Sequence, residues 1–407
     1  MYIHRHAEDA VRELSRMFGA VLVAGPRQVG KTTMLEHLVG RADSVSLDDV
    51  FELNLAKNQS STFFKEHTPP VFIDEIQKAP ELFPKIKLMI DQGHKKAQFY
   101  MCGSQQFAMM KNVSESLTGR IGLLTLLGLS LREVNGSKNR GVFVPTEEYL
   151  RSFKSSKISM TYGAIWEHIY RGSLPEMVLN KDYKKELFYA GYVASYIERD
   201  VHEYLRIGDA VRFQRFMAAA AALSGQMLNL AALAREVGIS QPTAEQWLSA
   251  LIASNLVYLL RPYSGNLLKR VVKTPKLYFL DTGLASYLTH WPSADTLRNG
   301  AMGGAIFETF VVSEIVKSYF NQGIIDPPLY YYRDKEMREI DLLIEQGEFL
   351  YPLEIKKYAD PTVQDIRNFA VLDKVSNKRR QPGGVICCYD RIAYLQGEDR
   401  VIPVAAI

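Results

Sequence analysis

Short apolar runs, each closed by glycine or an acid, mark the first hundred residues. Residues 21–24, 71–73 and the stretch around 99–102 are of strand length and apolar throughout. Runs of this kind between turn residues predict buried strands of a parallel sheet. From about residue 141 to 225 the pattern turns amphipathic and helical, as in "AIWEHIYRG" and "AGYVASYIERDVHEYL". "LNLAALAREVGISQPTAEQWLSALIASNLVYLL" then predicts a helix, a tight turn at Val237-Gly238-Ile239-Ser240 and a second helix, a helix-turn-helix pattern. The apolar run 256–260, the loop "PYSGN" and the strand-like "VVKTPKLYFLD" predict a wing after it. Beyond residue 300, "GAIFETFVVSEIVKSYF" predicts a helix, and "EIDLLIEQGEFLYPLEIKK" predicts two strands about a turn at Gln346-Gly347-Glu348. The chain therefore divides into four expected segments: 1–140, 141–225, 226–295 and 296–407.

Composition narrows the class. Of 407 residues, 47% are apolar and 23% charged, enough for globular cores. A net charge of +4 is too mild to imply nucleic-acid binding by itself, so any such surface must be a local patch. Cys102, Cys387 and Cys388 suggest neither a disulfide framework nor a zinc site. The opening "MYIHRHAEDA" lacks the apolar core of a signal peptide, and no apolar run approaches the ~18 residues of a membrane helix. The expectation is a soluble cytoplasmic protein with no membrane partner.

The first strand runs into Gly25, Pro26, Arg27, Gln28, Val29, Gly30, Lys31, Thr32 and Thr33, which contain the full G-x-x-x-x-G-K-[ST] pattern in its strand–loop–helix setting. The glycines let the backbone wrap a phosphate, and loop amides and the helix N-terminus turn positive dipoles toward it. Lys31 is expected to reach the β- and γ-phosphates of ATP, and the Thr32 hydroxyl to hold Mg²⁺. The plainer alternative is a glycine-rich turn before a helix. "PPVFIDEIQ" delivers Asp74 and Glu75 to the carboxyl end of a strand, where open α/β sheets place ligands. Asp74 suits the acid that supports Mg²⁺, and Glu75 suits the group that polarises the attacking water. "AQFYMCGSQQ" ends a third strand at Gly103-Ser104, where Ser104 would sense the γ-phosphate or mark a plain turn. Arg120, after Gly119, is either a transition-state cation or a surface arginine, and Arg199 in "YIERDV" is a second candidate.

"GPRQVGKT", "VFIDEIQ", "CGSQQF" and "SLTGR", in this order, resemble the AAA-like P-loop ATPases of prokaryotes that carry a C-terminal domain of unknown function. The resemblance runs on through "YIERDV", "FLDTGLASYL" and "GAIFETFVVSEI", and departs where Gly128 stands in place of the usual proline. It implies an α/β fold: an additional-strand P-loop NTPase core with a parallel sheet, then a helical lid or connector, a winged helix, and a domain resembling PD-(D/E)XK nucleases.

The wing segment carries Arg261, Lys269, Arg270, Lys273 and Lys276 with no acid among residues 257–280, so it is the expected contact for DNA phosphates. The helix 241–255 has one acid, Glu245, and no Lys or Arg, which argues against a major-groove reader. A spacer between domains is the alternative.

In the last segment, alternation puts Glu354 and Lys356 on one strand face, and the hairpin brings Asp341 roughly opposite. With Glu308 delivered by the helix, three acids and a lysine converge, as expected of a Mg²⁺ or Mn²⁺ site. Helix Glu, strand Asp, then Glu-x-Lys is the PD-(D/E)XK pattern, with Lys356 as its catalytic lysine. The competing expectation is a fold that keeps the pattern for salt bridges without cutting. Two functions remain open: an ATP-hydrolysing factor acting on nucleic acid, or an ATP-dependent switch with an inert C-terminal domain, working on a protein partner or as a homo-oligomer.

Overall fold

The computed structural model describes residues 2–40, 43–103, 117–156, 160–197, 210–264, 274–375 and 378–407. These fall into two compact units, one of residues 1–129, 253–255 and 319–325, the other of the remainder.

The first unit is built on five parallel strands: β1 (Ala20–Ala24), β2 (Asp43–Ser46), β3 (Val71–Asp74), β4 (Phe99–Gly103) and β5 (Ile121–Thr125). Their order is β2-β3-β4-β1-β5. β4 therefore lies between the strand that feeds the glycine-rich loop and the strand that delivers Asp74, which is the expected additional-strand arrangement. β1 is buried along its whole length, as a central parallel strand requires. Phe63, Phe83 and Phe99 fill the core beneath it. At roughly 2–3 kcal/mol for a fully buried side chain of this size, such residues dominate the stability of the unit. Helices follow from local signals: Asp49 caps Val50–Asn58 by accepting from the amides of Phe51 and Glu52.

The second unit carries a ten-stranded sheet. Its strands are β6 (Gln226–Met227), β7 (Val257–Pro262), β8 (Lys276–Phe279), β9 (Leu329–Arg333), β10 (Glu339–Gln346), β11 (Phe349–Ile355), β12 (Arg379–Arg380), β13 (Gly384–Cys387), β14 (Ala393–Gln396) and β15 (Asp399–Pro403). The main order is β14-β15-β13-β11-β10-β9-β7-β8-β6, with β12 beside β11. The helix-turn-helix expected from the sequence is present as Leu230–Val237 and Gln241–Ala253, capped by Asn229 and ended at Gly238. The antiparallel β7–β8 hairpin follows it. β7 also pairs in parallel with β9 through Arg261–Tyr330 and Pro262–Tyr331. The boundary expected at 295/296 thus does not separate two sheets. One sheet runs through both segments, because the outer edge of β7 offers unpaired backbone groups that β9 satisfies.

The hairpin turns at Gly347-Glu348, between β10 and β11, as expected. Among the described residues, no helix is long and apolar enough to cross a membrane.

Candidate nucleotide-binding site

The loop after β1 leaves its strand in a conformation closed to other residues. Gly25 has φ 144°, and a Cβ there would meet the Leu126 carbonyl at 2.1 Å. Gln28 and Gly30 also have positive φ, 60° and 86°. Alternating backbone hand turns successive amides into one concavity, an anion-binding shape. Lys31 opens the helix Lys31–Val39. Its Nζ donates to the carbonyls of Gly25 (3.0 Å) and Pro26 (2.7 Å). Burial pushes the Lys31 ammonium below its usual range, while the carboxylates of Glu75 and Asp74 nearby favour its charge. Val29 is buried, Arg27 and Gly30 partly so, and Gln28 and Thr33 are exposed.

Asp74 is where three elements meet. Its Oδ2 accepts from the Thr32 hydroxyl at 3.1 Å. Its Oδ1 accepts from the Glu75 amide at 3.0 Å and from the Cys102 thiol at 2.5 Å. Burial, then Asp74, pushes the Cys102 thiol well above its usual range, so it remains a donor. Thr32 and Asp74 are the residues that would hold Mg²⁺ beside a nucleotide. They fit it: a hydroxyl and a carboxylate, both hard oxygen donors, face each other beside the loop. Glu75 stands in the left-handed region at φ 55°, a conformation costly for a non-glycine residue and common where a side chain is aimed for function. The Gln77 amide donates to its carboxylate, and the other end of that amide, Oε1, is buried without a partner.

Two expectations are corrected or fall elsewhere. Arg120 precedes β5, and its carbonyl accepts from Ala20 at the amino end of β1. The loop leaves the carboxyl end of β1, about 16 Å away for five strand residues. Arg120 therefore does not face the loop of its own chain. It pairs instead with Asp91 through Nε and Nη2, at 2.5 and 3.1 Å. A turn signal places an arginine at a strand end but does not say which end. Ser104 and Arg199 lie outside the described residues, as do Lys269, Arg270 and Lys273.

Lys276 is the second correction. It is a wing cation in the sequence, yet only 4% exposed. Its Nζ lies 2.9 Å from Glu308 Oε1 and 2.7 Å from Glu339 Oε1. β8 is buried on both faces, so Lys276 meets acids rather than solvent, whereas Arg261 is exposed. The exposed positions of the second helix, Gln241, Pro242, Glu245, Gln246, Ser249 and Ile252, carry no cation, as the sequence led us to expect.

The structure does bring Asp341, Glu354 and Lys356 together. Lys356 Nζ lies 2.8 Å from Glu354 Oε2 and 3.5 Å from Asp341 Oδ2, and the Ile355 amide donates to Asp341. Glu308 accepts from Lys276 and from the Tyr278 hydroxyl at 2.6 Å. Burial first, and Asp341 second, raise the carboxyls of Glu308 to about 7 and Glu354 to about 9. Each acid thus already faces a lysine. Among the described residues, no three His, Cys, Asp or Glu are arranged to hold a metal ion. The expected trio of Glu308, Asp341 and Glu354 is not a ligand set in this arrangement, because Lys276 and Lys356 take the cation's place.

Arg5, Gln77, Cys102, Tyr278 and Glu339 escaped the sequence reading. Gln77 sits inside the quoted "VFIDEIQ", whereas Arg5 and Cys102 act through contacts distant in sequence, for which no local pattern exists.

Residues 18–135 match an AAA domain family, residues 163–295 a domain of unknown function (DUF8612), and residues 303–407 another (DUF4143). The chain is 29% identical over 374 residues to the uncharacterized protein Rv2008c of Mycobacterium tuberculosis, covering 91% of this chain and 77% of that protein. The uncharacterized protein Mb2031c of Mycobacterium bovis matches to the same extent. Among solved structures, the Walker-type ATPase of Pyrococcus abyssi, PABY2304, shares 14% identity at a TM-score of 0.45, covering 69% of this chain and 94% of that one. The RuvB Holliday junction branch migration motor of Thermotoga maritima shares 16% at 0.30, covering 62% and 88%. The family match over residues 18–135 and the sheet order both fit a P-loop ATPase core in the first unit.

Proposed function

We propose that the chain is an ATP-driven switch that binds ATP with Mg²⁺ at the loop 25–33 and hydrolyses it through Glu75. The observation that supports this most is the convergence at Asp74, where Thr32 from the loop and the Glu75 amide meet one carboxylate. Bound Mg²⁺ would supply charge neutralisation at the phosphates. The chain's own groups do the rest. The loop amides cradle the phosphates, Lys31 leaves the carbonyls of Gly25 and Pro26 to pair with them, and Glu75 orients the attacking water. Arg120 would act only on a nucleotide held by a second copy of the chain.

For the second unit we favour the inert reading, in which Lys356 and Lys276 hold its acids together and a protein partner reads the nucleotide state. The nucleic-acid reading retains one observation in its favour, the cations at 269, 270 and 273 in a segment without acids.

Isothermal titration of the full chain with ATP and Mg²⁺ tests the core of the proposal. Lys31→Ala should lose at least tenfold in affinity, equivalent to ~1.4 kcal/mol. Unchanged affinity would refute the site.

A further inference from the structure

Two cations hold the loop, Lys31 and Arg5. Lys31 grips the Gly25 and Pro26 carbonyls and must leave them when a phosphate arrives. Arg5 grips the next stretch and has no such duty. It is 3% exposed. Its Nη1 donates to the Val29 carbonyl at 2.7 Å, and its Nη2 to the carbonyls of Leu127 and Gly128 at 2.8 and 3.2 Å. The Arg5 backbone is held in turn: its amide donates to Glu8 Oε1 at 3.0 Å, and Tyr2 and Arg12 donate to the same carboxylate at 2.8 and 3.1 Å.

The consequence lies in the Val29–Gly30 peptide. In a trans peptide the carbonyl and the amide N–H point in opposite directions. Fixing the Val29 carbonyl toward Arg5 therefore aims the Gly30 amide the other way. Gly30 caps the helix that begins at Lys31, so its amide is one of the donors a phosphate would meet. A guanidinium bonded to the carbonyl also polarises the peptide and strengthens the amide as a donor. A lysine in this place would offer a point charge, whereas the guanidinium fork reaches Val29 and the 127–128 segment at once.

We propose that Arg5 is a positioning residue for phosphate binding. From outside the loop it orients the Val29–Gly30 peptide so that the Gly30 amide faces the β-phosphate. The proposal rests on the reading that this loop binds ATP. It predicts weaker binding of ATP and ADP by a chain that stays folded, which a purely structural arginine would not produce.

The test measures affinity for ATP and for ADP on the full chain, well below its melting temperature, for wild type, Arg5→Lys and Arg5→Gln. Both variants should bind each nucleotide about tenfold more weakly, equivalent to ~1.4 kcal/mol, with Arg5→Lys less affected. Millimolar guanidinium ion should restore part of the loss in Arg5→Gln and do nothing for wild type. If Arg5→Gln does not fold, Arg5→Lys decides alone by the same comparison. Affinities equal to wild type, or a lowered melting temperature with unchanged affinity, overturn the proposal. A wild-type chain that binds neither ATP nor ADP overturns the nucleotide reading itself, and the role of Arg5 with it.

Discussion

Asp341 and Glu354 stand opposite each other on adjacent antiparallel strands, one step beyond the Leu342–Leu353 pair. Like charges at directly opposed positions destabilise a sheet. Two things relieve this: burial, then the Asp341 charge, shifts the Glu354 carboxyl toward its neutral form, and Lys356 reaches both carboxyls.

Lys356→Met removes the shared cation. We expect a loss of about 2 kcal/mol in urea denaturation, below the ~3–5 typical of a fully buried pair because Lys356 keeps some exposure. Adding Asp341→Asn should recover part of that loss. A double variant no more stable than the single one would show that Asp341 and Lys356 are not coupled.

Glu75 and Gln77 separate binding from hydrolysis. Glu75→Gln should leave ATP affinity near wild type and cut turnover by about 10²-fold or more, the scale of a lost general base. Gln77→Leu removes the donor that holds the Glu75 carboxylate. Turnover should fall several-fold at unchanged affinity, as expected of a group acting through another. Single-turnover hydrolysis alongside titration checks both. Wild-type turnover in Glu75→Gln would remove it from the mechanism.

The segment read as a wing was misleading in its charges, and its two described cations show why. Arg261 and Lys276 look alike in sequence, but β8 turns Lys276 inward between Glu308 and Glu339, and those partners lie 32 and 63 residues away. The glycine-rich loop was legible because its chemistry is local: four fixed residue types within eight positions dictate a backbone shape. The sheet order, Arg5 on the loop and Lys276 among the acids were not, since each depends on contacts between distant segments. The hairpin was read correctly, as local alternation and its glycine turn allow. Whether Glu308 faces a metal or a lysine depended on Lys276, a partner 32 residues away.

Any DNA affinity should therefore depend on the remaining wing cations. Reversing Lys269, Arg270 and Lys273 to Glu should lower the slope of log affinity against log salt by about 2.7, at ~0.9 per phosphate contact. Lys276→Ala should leave that slope unchanged and lower stability instead. Fluorescence anisotropy across a salt series distinguishes the two. An unaltered slope in the triple variant would place the contact elsewhere.

His168 gives the second unit an acid-sensitive element. It is half-buried beside the Phe310 ring, 5.7 Å away, and its Nε2 is buried without a partner. Burial lowers its pKa from 6.5 to about 4, opposed by Glu314 and assisted by Lys317. Because the folded value is depressed, the unfolded chain binds a proton first as pH falls. The stability tied to neutral His168 is thus intact above pH 6.5 and is lost as pH falls toward 4. The full loss is about 3 kcal/mol, at ~1.4 per pKa unit. His168→Leu cannot take up that proton, so its stability should decline less over the same range. Urea denaturation at pH 7 and at pH 4.5 should show the difference between variant and wild type shifting by about 2 kcal/mol in the variant's favour. Parallel pH profiles for the two proteins would mean that His168 is not held neutral, and that the acid sensitivity of the unit arises from other groups.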